Sequence, residues 1–124
     1  MANTQYDKLL SDVLEKTRDK DLAWTVTRNN AFAEHVLHGA TIFRSFMSDY
    51  TRSQDHYTLA FVEKKVPHPE DERFDQHIPE LLVLKDDNLI LLVDEYHVDA
   101  SDLRKLSALI TERNADAQGL LNSF

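Results

Sequence analysis

The spacing of hydrophobic positions changes along this chain, and each spacing predicts a different element. Over residues 4–17 the apolar side chains recur every three or four positions, which places them on one face of a helix. This stripe consists of Tyr6, Leu9, Leu10, Val13 and Leu14. Thr4 precedes the stripe and can act as an N-cap, because its hydroxyl can accept from a free N–H of the first turn. We therefore predict an N-terminal amphipathic helix.

From Leu22 the period shortens to two, which is the spacing of a strand. Residues 22–27, 41–51 and 56–63 are rich in the β-branched and aromatic side chains that favour a pleated surface. Residues 32–37 fit both a strand and a helical face. We assign them to a strand, because the turn-forming pairs at 29–30 and 38–39 flank them.

The clearest local pattern is a hairpin near the end of the sheet. Two apolar runs, 81–84 and 89–93, flank the polar break Lys85-Asp-Asp-Asn88. Both runs are apolar at odd and even positions alike, whereas a strand with one solvated face would alternate. The two strands are therefore predicted to be covered on both faces.

A second helix is predicted after the hairpin. Asp99 and Asp102 form a plausible N-terminal capping arrangement, and apolar residues then recur at helical spacing to about Asn114. Residues 115–124 extend this pattern, although Gly119 weakens it. Residues 66–79 contain all three prolines and a charged run, which predicts a flexible loop of about that length.

These elements predict an α+β fold with an N-terminal helix, an antiparallel meander of about five or six strands and a C-terminal helix. Short connections favour antiparallel neighbours, since parallel pairs need long crossovers. Both helices should pack on one face of the sheet. The length of 124 residues is typical of one domain, so residues 1–124 are assigned to a single unit.

Composition narrows the classes of partner. The formal charge of −8 disfavours binding to nucleic-acid phosphates, and no apolar run reaches the ~20 residues of a membrane helix. The start lacks the pattern of a secretory signal, and the chain has no cysteine, which fits a reducing compartment. We therefore expect a cytoplasmic protein that binds neither nucleic acid nor membrane.

Two helices should not be able to hide all the apolar residues of the predicted sheet. A homodimer that packs through this sheet would cover the remainder. The predicted interface residues are Trp24, Phe43, Phe46 and Met47.

Few residues suggest catalysis. With only two glycines, the chain has neither a phosphate-binding loop nor a dinucleotide fingerprint, so no cofactor and no catalytic residue are assigned. Asp94 and His97 are candidate metal ligands at a strand-to-helix junction, although a junction needs polar residues in any case. Arg44, His56 and Tyr57 are candidate ligand contacts.

Three functional hypotheses remain open from the sequence. The favoured one is a non-catalytic interaction or accessory module that self-associates through its sheet. The first alternative is a small-molecule binder or hydrolase-like enzyme that uses a cavity on the sheet. The second is an acidic inhibitor of the immunity type, although lysines and acids are interleaved on both predicted helices.

Overall fold

The computed structural model describes residues 4–27, 41–67, 70, 73 and 75–124. Its elements, in chain order, are α1 (Thr4–Arg18), β1 (Thr25–Thr27), β2 (Thr41–Arg52), β3 (Asp55–Pro67), β4 (Asp75–Lys85), β5 (Asn88–Val93), α2 (Ala100–Arg113) and α3 (Ala115–Leu121). The strands form one antiparallel sheet of order β1-β2-β3-β4-β5. The predicted α+β meander is confirmed. The strand predicted at 32–37 lies outside the described residues.

Two tight turns set the register of the long strands. Ser53 and Gln54 join β2 to β3 with φ of 52° and 70°, and Asp86 and Asp87 join β4 to β5 with φ of 52° and 66°. Positive φ at both central residues is the signature of a type I′ turn, whose twist matches that of the flanking strands. The hairpin predicted around Lys85 is therefore confirmed.

The loop predicted over 66–79 is too long. Strand β3 reaches Pro67 and β4 already begins at Asp75, so the strands occupy both ends of that range. Pro79 lies within β4, opposite Glu63. Strand β5 pairs with β4 only from Leu81 onward, so Pro79 sits where β4 borders the described sheet and its missing N–H can be tolerated.

The main core lies between one face of the sheet and the helices. Helices α1 and α2 pack against each other and on this face, as predicted. The largest side chains with less than 2% exposure include Trp24, Phe61, Leu10, Leu59, Leu81, Leu103, Leu106 and Ile110.

The opposite face of the sheet carries a second cluster. Ala60 and Val62 of β3 are 0% exposed, and Leu82 and Leu84 of β4 are 1% and 4% exposed. Among the described residues this cluster contains strand residues alone. The central strands are thus buried on both faces within a single chain, as the unbroken apolar run of β4 predicts.

A charged pair is buried beside this second cluster. Lys64 Nζ contacts Glu80 Oε1, and the two side chains are only 8% and 7% exposed. Each charge loses most of its hydration, so each depends on the other for compensation.

We predict that Lys64→Met will lower the free energy of unfolding by about 3–5 kcal/mol, because it leaves the Glu80 carboxylate buried without its partner. The double variant Lys64→Met/Glu80→Leu should recover most of this loss. Urea unfolding of the two variants measures both values. A double variant that is no more stable than Lys64→Met would contradict the coupling.

Trp24 is tied to α1 by a short hydrogen-bond chain. Its indole Nε1 donates to Thr17 Oγ1 at 3.0 Å, and Thr17 Oγ1 donates to the Val13 carbonyl at 2.7 Å. Thr17 is 0% exposed, so water cannot replace it.

We predict that Thr17→Val will cost about 1–3 kcal/mol of unfolding free energy, because the buried indole N–H loses its acceptor. Thr111→Val is the matched control, since Thr111 Oγ1 makes the same bond to the carbonyl four residues earlier, at 2.7 Å, on an exposed surface. The control should change stability by less than about 0.5 kcal/mol. Equal effects in the two variants would refute the role of the indole bond.

Candidate functional site

The three predicted ligand residues do not meet. His56 and Tyr57 are neighbours in β3, so their side chains point to opposite faces. The exposed His56 pairs its Nδ1 with Thr51 Oγ1 at 3.0 Å. Arg44 lies opposite Glu63, six positions along β3 from Tyr57, or about 20 Å. No single pocket can use all three.

The predicted metal ligands do approach each other. His97 Nδ1 is 2.9 Å from Asp94 Oδ1, and the His97 ring stacks on Tyr6 with centroids 4.3 Å apart. Asp94 Oδ1 also accepts from the backbone N–H of Tyr96 at 3.0 Å, which closes the turn before α2. Within the described ranges, no group of three or more potential ligands is close enough to hold a metal.

The predicted interface residues have different environments. Trp24 and Phe46 are 1% and 4% exposed in the main core, so they offer no surface to a second chain in this conformation. Met47 packs against the second cluster. Phe43 is 44% exposed and stacks on His77 with centroids 4.2 Å apart.

The edge of the sheet at β5 is the more open apolar surface. In the sheet formed by the described residues, β5 is a terminal strand with the sequence Asn-Leu-Ile-Leu-Leu-Val. It contains no charged residue and no proline, the groups that usually protect such an edge from pairing. Leu89 and Ile90 are 37% and 52% exposed.

A bulge changes the direction of this strand. Leu91 pairs with Val83 and Leu89 with Leu84, so Ile90 is the extra residue. A bulge bends a strand and re-aims its side chain. Ile90 accordingly lines a groove on the helix side of the sheet.

We call this depression the β5 groove. Its apolar part has a volume of about 220 Å³ and is lined by Leu9, Tyr50, Arg52, Tyr57, Leu59, Val83, Ile90 and Leu91. It shares Leu9, Tyr50 and Arg52 with a more polar part of about 340 Å³, which adds Gln5, Lys8 and Asp12. The groove is therefore lined by apolar side chains beside β5 and by charged side chains beside α1.

The charged end is held by a hydrogen-bond network. The Tyr50 hydroxyl donates to Asp12 Oδ2, which also lies 3.5 Å from Lys16 Nζ and 3.8 Å from Arg52 Nη1. Burial, and then the bond to Asp12, raises the pKa of Tyr50 to about 12. At neutral pH this phenol is a fixed donor, so its role here is to tie β2 to α1.

Sequence patterns missed the residues of the β5 groove other than Tyr57. The prediction that both apolar runs are covered on both faces is wrong for 89–93, because Leu89 and Ile90 of β5 are exposed at the edge of the described sheet. The bulge at Ile90 depends on pairing with β4, which local spacing does not encode.

Comparison of the chain with protein-family models, curated proteins and solved structures finds no match in any of the three. In the part of the chain that the structure describes, no helix is both long enough and apolar enough to cross a bilayer.

We predict that stability will fall as the pH rises from about 10 to about 12. Because the folded-state pKa of Tyr50 is above its ordinary value of 10.0, the folded state holds this proton more tightly, and that contribution is complete below pH 10. Tyr50→Phe should remove this part of the pH dependence. Urea unfolding at several alkaline pH values checks it, and identical profiles for the two proteins would contradict it.

Proposed function

We propose that this protein is a non-catalytic interaction module that self-associates through its sheet, with β5 of one copy pairing antiparallel with β5 of a second. The observation that carries the proposal is the uncharged β5 edge with its exposed Leu89 and Ile90. An apolar edge without charged residues is a template for strand addition.

Symmetry favours a second copy of this chain as the partner that pairs with β5. An antiparallel pair of identical strands is related by a two-fold axis, so each copy supplies the same surface and the assembly closes as a dimer. The six residues of β5 offer too little area alone for a stable dimer, which typically buries more than about 1,000 Å². The neighbouring β5 groove supplies further apolar area on the same side.

The two other hypotheses have less support. A shared pocket for Arg44, His56 and Tyr57 was the basis of the small-molecule alternative, and their positions do not favour it. An acidic inhibitor would gather carboxylates on one surface, whereas acids on both helices lie beside lysines, as in Asp12–Lys16 and Asp102–Lys105.

We further propose a cytoplasmic location, which the cysteine-free composition favours.

Sedimentation velocity over a range of micromolar concentrations tests self-association. We predict that the wild-type chain will dimerise and that Ile90→Lys will be monomeric, because a lysine at the edge opposes pairing of strands. Val26→Lys is the matched control, since Val26 is 48% exposed on β1, at the other border of the described sheet.

Circular dichroism should show that both variants keep the wild-type fold. A wild-type chain that remains monomeric at every concentration would refute the proposal. So would an Ile90→Lys variant that still dimerises, or a Val26→Lys variant that dissociates equally.

A further inference from the structure

A separate cleft lies between the sheet and α2, at the far end of β3 from Tyr57. Its volume is about 170 Å³, and it is lined by Arg44, Glu63, His77, Pro79, Arg104 and Ser107. We call it the Arg44 cleft. A depression of this volume has room for several water molecules, and so for a small polyatomic group.

A buried carboxylate fixes the position of Arg44. Glu63 is only 5% exposed, and its Oε2 and Oε1 accept from Arg44 Nε and Nη2, both at 2.9 Å. The Ser107 hydroxyl of α2 also donates to Oε1. The pairing occupies both carboxylate oxygens but only two of the five N–H donors of the guanidinium. Arg44 is therefore held in place, and its contacts with the described residues leave three guanidinium N–H groups for a ligand.

The charges around the Arg44 cleft differ in sign from the chain as a whole. Its lining has two arginines and one carboxylate, which is paired with Arg44, so the lining carries a formal charge of +1, whereas the whole chain carries −8. This local excess of positive charge favours an anion.

The donors also approach from different directions. Arg44 comes from β2, Arg104 from α2 and His77 from β4, where the imidazole is stacked on Phe43. A planar carboxylate presents its two oxygens in one plane. A phosphoryl group presents oxygens tetrahedrally, so it can accept from three separate elements and pair with arginine.

We propose that the Arg44 cleft binds a phosphoryl group, either inorganic phosphate or the terminal phosphate of a larger molecule. Arg44 and Arg104 bind its oxygens, and His77 adds an N–H at the rim. Glu63 and Ser107 are positioning residues, because they orient Arg44. The cleft is too small to enclose a nucleotide, so the rest of any larger ligand extends outward past Arg104.

Titration at constant ionic strength, followed by NMR of the backbone amides and the His77 ring, tests this site. We predict saturable shifts with inorganic phosphate, at residues of the Arg44 cleft, and much weaker binding of acetate. Titration with phenyl phosphate shows whether the phosphoryl group comes from a phosphate ester or from inorganic phosphate. Equal or tighter binding of phenyl phosphate indicates a phosphate ester, and its exclusion indicates the free ion.

Arg104→Gln should weaken phosphate binding about tenfold or more, because it removes a charged donor. This exposed residue is a safer target than Arg44, whose loss would leave Glu63 buried and unpaired. Lys105→Gln is the matched control, since it removes the same charge from the next position of α2 and lies outside the cleft lining.

The control should bind phosphate as the wild type does. Equal weakening by both variants would show a general charge effect and overturn the proposal, as would the absence of saturation or equal binding of acetate. Ile90→Lys should also bind phosphate normally, so failure of the dimer and failure of this site give different results.

Discussion

The rest of the structure depends on the burial of β3 and β4 on both faces. On the helix side, Phe61 lies opposite Leu81, and on the other side the smaller Ala60 lies opposite Leu82. A slip of one residue would bring Phe61 into the space of Ala60, so the difference in size fixes the register. The two type I′ turns set the registers of the neighbouring pairs, β2 with β3 and β4 with β5.

This burial also explains why the charged residues of the central strands are paired. Glu63 and Lys64 are consecutive in β3, so they point to opposite faces and neither can reach bulk water. Glu63 finds Arg44 and Ser107 on the helix side, and Lys64 finds Glu80 on the other. Because each partner is on a different element, these pairs select one arrangement of β2, β4 and α2 around β3.

Regular spacing was enough to predict the elements with one clear stripe or turn. The stripe of α1, the break at Lys85 and the cap at Asp99, whose carboxylate accepts from Ser101 N at 2.9 Å, are all local signals. The cap bond also lowers the pKa of Asp99. Local patterns predicted the wrong bounds for the loop at 66–79, because the strand pairing that tolerates Pro79 is made with residues far away in sequence.

The same limit applies to the sites. Strict alternation already places His56 and Tyr57 on opposite faces, so that part of the ligand prediction could have been rejected from the sequence. The pairing of Arg44 with Glu63 required the register of β2 and β3, including the irregularity between Ile42 and Arg44. The groove beside Ile90 likewise required the bulge in β5.

Both surfaces therefore arise where a regular strand is interrupted, and an interruption turns a side chain that would pack in the sheet toward solvent. The uninterrupted middle of β3 and β4 forms the core, and both surfaces lie beside the interruptions in β2 and β5.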